Sequence, residues 1–123
     1  MITGVVSAQR GATLRLAVQD AGGREQDVDA ILDTGFNGSL TLPPAVIGAL
    51  GLPWRTRGRV ILANGAEDQC DIYAATVLWD GMPRRILVEA ADTDALVGMA
   101  LLYRYEVRIQ VVEGGSVTIE ALP

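Results

Sequence analysis

The run Ile31-Leu32-Asp33-Thr34-Gly35-Phe36 sets a carboxyl, a hydroxyl and a glycine directly after an apolar stretch. An acid delivered to the end of a buried strand must be paired or protonated, because a lone charge is costly away from water. Two such acids brought together share one proton, so that one serves as base and the other as acid. A single Asp can instead fold back on its own backbone and cap a turn. The tripeptide alone does not choose between these uses, so the choice falls to the surrounding chain.

The composition removes many rivals. Histidine is absent from the 123 residues, which excludes a Ser-His-Asp triad, a Cys-His pair and a His-based zinc site. Cys70 is the one cysteine, so neither an internal disulfide nor a four-cysteine zinc site can form; it reads as a small apolar strand residue. No phosphate-cradling G-x-x-x-x-G-K-[ST] loop occurs. Asp92 and Asp94 flank Thr93, a pattern more typical of a solvated loop or a helix cap than of a metal site. Carboxylates, hydroxyls and tyrosines remain for chemistry, and no metal or cofactor is expected.

The formal charge is −5, and all ten basic residues are arginines. That balance argues against nucleic acid as a partner, since such binders carry a basic stripe. The longest apolar runs, such as Ala95–Leu102, fall far short of the ~20 residues needed to span a bilayer. The start, MITGVVSAQRG, lacks the basic and long apolar regions of a secretory signal. The expectation is a soluble cytoplasmic protein with no membrane partner.

The elements that must position Asp33 are mostly strands. Residues 13–19 alternate polar and apolar with period two, as does the first half of 26–32. Residues 59–62, 70–79, 84–90, 106–112 and 116–122 also read as strands, separated by turn signals at 21–23, 64–65, 80–83 and 114–115. Short helices are expected over 43–53, between prolines, and over 98–105. The fold class is all-β, a closed barrel or sandwich of one domain spanning 1–123, with one or two short helices. Asn64-Gly65 is the sharpest hairpin cue, with positive φ expected at both turn positions.

Three landmarks in this order resemble the retropepsin-like (clan AA) single-domain aspartic proteases, in particular the small bacterial and archaeal members. They are Ile31-Leu32-Asp33-Thr34-Gly35, then Ala63-Asn64-Gly65-Ala66, then Leu96-Val97-Gly98 leading into MALLYR. The DTGF loop and the G-x-x-L-L segment carry the likeness to the small members, and it extends from about residue 12 to 112.

The resemblance implies an aspartic endopeptidase acting on peptide or protein substrates. Asp33 is implied as the catalytic acid. Because the chain holds one such motif, the resemblance implies a homodimer in which two copies of Asp33 meet across a two-fold axis. Thr34 is implied to bond the partner's loop, Gly35 to admit the substrate backbone, and Gly98 to let the Asp33 loop pack closely. Ala63, Asn64, Gly65 and Ala66 are implied as the tip of a hairpin flap, with Phe36 and Asn37 beside the substrate. The alternative is a catalytically silent peptide- or protein-binding module of the same fold.

The likeness has gaps. Phe36 stands where retroviral members carry a small residue. Asn37 and Met99 replace an Asp and Arg that pair in those members, so this dimer is expected to be held differently. The C-terminal segment reads as a complete hairpin, whose second strand, or residues 2–7, is expected to supply the interface.

Overall fold

The computed structural model describes residues 1–61 and 63–123. Ten strands and two short helices follow the order β1 (Ile2–Val6), β2 (Ala12–Gln19), β3 (Glu25–Leu32), β4 (Leu40–Leu42), α1 (Pro44–Leu50), β5 (Trp54–Ile61), β6 (Glu67–Trp79), β7 (Met82–Ala90), β8 (Leu96–Val97), α2 (Met99–Leu102), β9 (Tyr105–Ile109) and β10 (Ser116–Ala121). The chain is mostly β with few helices, as the alternating pattern implies.

One sheet holds all the strands, in the order β5-β6-β7-β4-β8-β3-β2-β1-β10-β9. A further pairing, Val18↔Val77, joins β2 to β6, so the sheet returns onto itself. Alternation decides which side chains form the core. Leu14, Leu16 and Val18 of β2 are buried, as are Val77 and Trp79 of β6, Ile86 and Val88 of β7, and Val117 and Ile119 of β10. Each fully buried leucine or valine contributes about 1.5–3 kcal/mol relative to exposure, so the period-two stripes supply the fold's main driving force.

The hairpin turns correct one expectation. The two-residue turn with positive φ at both positions is Asp80 (φ 54°) and Gly81 (φ 79°), between the paired Trp79 and Met82. At the other hairpin the flanking pair is Ile61↔Glu67, and among the described residues of its tip only Gly65 has positive φ, at 82°. Asn64 works through its side chain instead: its Oδ1 accepts a hydrogen bond from the Ala66 amide at 2.9 Å. A local Asx turn thus replaces the tight backbone turn expected there.

Other boundaries also shift. Strand β5 begins at Trp54, well before the expected 59, and Leu62 lies outside the described residues. Helix α1 ends on Gly51 in the left-handed region (φ 66°), as its Gly-Leu-Pro stop implies. Helix α2 is only the single turn 99–102. Two short strands, β4 and β8, had no sequence signal.

Strands β1 and β10 each have a neighbour on both sides, whereas β9 lies at the end of the sheet. The N-terminal strand and the second strand of the last hairpin, both expected to offer an interface, are therefore occupied within the chain. Among the described residues, no helix is long and apolar enough to cross a membrane.

Candidate active site

The Asp33 loop exists because two short strands clamp it. Strand β8 lies between β3 and β4, parallel to the first (Ile31↔Leu96, Leu32↔Val97) and antiparallel to the second (Leu40↔Val97, Thr41↔Leu96). Residues 33–39 must therefore cross over the end of β8. Thr41, buried, helps fix the start of β8: its Oγ1 accepts from the Leu96 amide at 3.0 Å.

Backbone bonds hold the loop around Gly98. The Asp33 amide donates to Val97 O at 2.9 Å, and the Gly98 amide donates to Ser39 O at 3.0 Å. The amides of Met99 and Ala100 donate to Phe36 O (2.8 Å) and Gly38 O (3.1 Å). Gly98 is extended (φ −105°, ψ −179°), so conformation does not demand glycine there. Space does: a Cβ would fall 2.7 Å from Phe36 O and would also collide with Gly38 O and the Phe36 ring.

Asp33 is half-buried at the end of β3. Its Oδ1 accepts from the Gly35 amide at 2.9 Å, and its carbonyl accepts from the Phe36 amide at 3.1 Å. So the local Asx turn weighed in the sequence does form. It occupies one carboxylate oxygen and turns Thr34 and Gly35, both exposed, outward beside the acid. A β-turn closed by backbone bonds thus presents a carboxyl, a hydroxyl and an open glycine on one rim.

The remaining expected residues divide. Phe36 is half-buried, with its ring against Gly38 and Gly98, so it packs on the loop it belongs to. Asn37 is exposed on the same loop. Residues 63–66 are exposed at the tip of the long β5–β6 hairpin. Cys70 lies on β6 and is half-buried rather than buried. Burial first, and then the nearby Glu89, Asp71 and Asp68, push its thiol up, which keeps it protonated. Asp92 and Asp94 are exposed in the loop before β8, and the described residues contain no cluster of three or more metal-ligating side chains.

Sequence reasoning missed Gly38 and Glu89. Glu89 pairs with Thr41 across β7–β4 and is half-buried beside the loop. A Cβ built on Gly38 would lie 2.6 Å from Glu89 Oε2 and 2.5 Å from Phe36 Cζ. Burial pushes the Glu89 carboxyl above the usual carboxylate range. The signal available was one acid in the apolar run ILVEA; nothing local showed that it would meet a loop 50 residues earlier.

No protein-family profile matches the sequence, and no curated protein matches it. Solved structures do. The retropepsin-like aspartic protease of Rickettsia conorii superposes with a TM-score of 0.62 at 15% identity, over 99% of this chain and 91% of that one. The EIAV protease, solved in complex with an inhibitor, gives 0.56 at 16% identity, over 77% and 88%. The chain has the retropepsin-like fold.

Proposed function

We propose that this chain is one protomer of a homodimeric aspartic endopeptidase that acts in the cytoplasm on extended peptide segments. The observation that supports the reading best is the Asp33-Thr34-Gly35 turn, fixed to the backbone of β8 around Gly98, in a retropepsin-like fold. On this reading the sheet's return through Val18↔Val77 closes a barrel, and the loop sits at its rim where two protomers meet.

Asp33 and the partner's Asp33 face each other and share one proton. The ionised carboxylate takes a proton from water as the water oxygen attacks the scissile carbonyl carbon. The protonated carboxyl gives its proton to the carbonyl oxygen. Collapse of the tetrahedral intermediate breaks the C–N bond, and a proton passes to the departing amine. The products are a carboxylic acid and an amine, and the dyad regains its single shared proton.

Other residues serve the pair. Thr34, exposed beside the acid, bonds the partner's loop. Gly35 admits the substrate backbone, and Phe36 and Asn37 border the cleft. Residues 63–66 close over the substrate and exclude water. The open edge of β9 offers a further contact for strand pairing between protomers.

The test is digestion of a peptide library at pH 4 to 7 over a range of protein concentrations, with and without a statine-type transition-state mimic. The expected result is cleavage blocked by the mimic, with activity per protomer falling on dilution. Activity per protomer that stays constant down to concentrations where sedimentation detects only monomer contradicts the dimer.

A further inference from the structure

We propose that Glu89 makes the cleft beside the Asp33 loop a pocket for a cationic substrate side chain, arginine or lysine, and so sets this chain's cleavage preference. The inference rests on the protease reading above. It adds a chemical class of substrate, which neither the motif nor the fold supplies.

The first observation is position. Oε2 of Glu89 lies against Gly38, five residues beyond Asp33, and the Phe36 ring crowds the same Cβ position of that glycine. Any side chain at 38 would collide with that carboxylate, so the glycine is what lets the acid reach the loop. The second is shape. A cleft of about 370 Å³ opens here, with Gly38 and Ser39 on one wall and Ile72, Leu87 and Glu89 on another. Ile72 and Glu89 are direct cross-strand partners on one face of the β6–β7 hairpin. Leu87, two residues from Glu89 on that face, is 53% exposed. The cleft therefore sets one carboxylate beside an apolar wall, with two arginines also on its lining.

The third observation is charge. Among the described residues, Glu89 makes no ion pair and no side-chain hydrogen bond. Two arginines also border the cleft. Arg84 is engaged elsewhere: its guanidinium donates to the carbonyls of Ala100 (3.1 Å) and Leu101 (3.3 Å). Arg85 shares the face of Glu89 but lies four residues along the strand, its Cα about 13 Å away at strand rise, and it forms no ion pair with Glu89 among the described residues. A half-buried carboxylate without a counter-ion favours a ligand that brings one. An arginine or lysine stem lies along the apolar wall while its head meets the acid. A neutral side chain leaves the charge unpaired, and an acidic one is repelled.

The experiment uses the full-length protein and a positional-scanning peptide set. Each position around the cleaved bond is replaced in turn by arginine, norleucine or glutamate. At one position arginine should exceed norleucine in kcat/KM by about 1.5-fold to fivefold, the range for a partly exposed ion pair, with glutamate lowest. Glu89→Gln should bring the arginine-to-norleucine ratio close to one. Glu89→Arg should invert the order in favour of glutamate. Cleavage with no such position, or a ratio that survives Glu89→Gln, overturns the proposal and leaves the protease reading standing.

A binding arm separates the two failures. Fluorescence anisotropy of the same peptides on the Asp33→Asn protein needs no turnover. An arginine preference there that Glu89→Gln removes supports the pocket, even if the wild-type protein cleaves nothing and the protease reading falls. A protein that neither cleaves nor binds arginine peptides preferentially contradicts both.

Discussion

The amide of Asp33 donates to the carbonyl of Val97 at 2.9 Å, joining residues 64 positions apart at the point where β3 ends. That bond is the last rung of the short β3–β8 ladder. The next residue, Gly98, carries the Asp33 loop on its bare Cα. The candidate chemistry thus depends on a two-residue strand and on one glycine whose role is steric.

Gly98→Ala tests that dependence. The added Cβ meets backbone carbonyls, which cannot rotate away as a flexible side chain would. Overpacking of this kind costs about 1–3 kcal/mol. Gly48→Ala on α1 is the contrast, since nothing lies within 4 Å of its Cβ and alanine gains roughly 0.5–1 kcal/mol over glycine in a helix interior. Denaturant midpoints should move in opposite directions for the two variants. A Gly98→Ala midpoint equal to wild type contradicts the packing account.

The tip of the β5–β6 hairpin makes a different demand. Gly65 has φ 82° and open space around its Cβ, so Gly65→Val is opposed by backbone conformation alone. The strain, about 1–3 kcal/mol, falls at an exposed tip away from the core. Peptide turnover should drop while far-UV CD and oligomeric state persist. Unchanged kinetics in a folded variant reduce Asn64-Gly65 to a surface turn with no part in closure.

Glu89 gives a pH signature. Burial raises its folded-state pKa above the ordinary 4.5. Between the unfolded and folded values the native state holds the extra proton, so stability falls as pH rises. The contribution is fully present below about 4.5 and is lost as pH rises through the higher folded value. Glu89→Gln carries no such titration. Its melting temperature relative to wild type should therefore climb as pH is raised from 4 towards 7, and a difference independent of pH contradicts the burial argument.

Much of this was legible in the sequence because its signals are local. The alternation in residues 13–19 and 84–90 follows from one buried face per strand, and Gly51-Leu52-Pro53 states where α1 stops. The order of the Asp33, Asn64-Gly65 and Gly98 landmarks carried the resemblance, and the fold agrees with it. What was not legible is either short or non-local. Leu40–Leu42 and Leu96–Val97 are too brief to show a period, and each is a strand only because of its neighbours, β7 and β8 for the first and β3 and β4 for the second. Asp80-Gly81 and Asn64-Gly65 look alike as turn cues, yet the Asn64 side chain closes the second turn. Glu89 reads as one polar residue in a strand until Gly38 is seen to leave room for it.

The most direct test of the central claim joins two copies of the chain in tandem and mutates Asp33→Asn in one. If the two carboxylates share a proton across the protomer interface, one acid facing one amide cannot form the pair. Peptide turnover by the dilute, monodisperse hybrid should then fall by the ~10²–10⁴ expected for losing positioned acid–base groups, nearly matching the doubly mutated tandem. Retention of about half the activity, as counting two independent sites requires, would show that Asp33 acts within one subunit and would contradict the dyad.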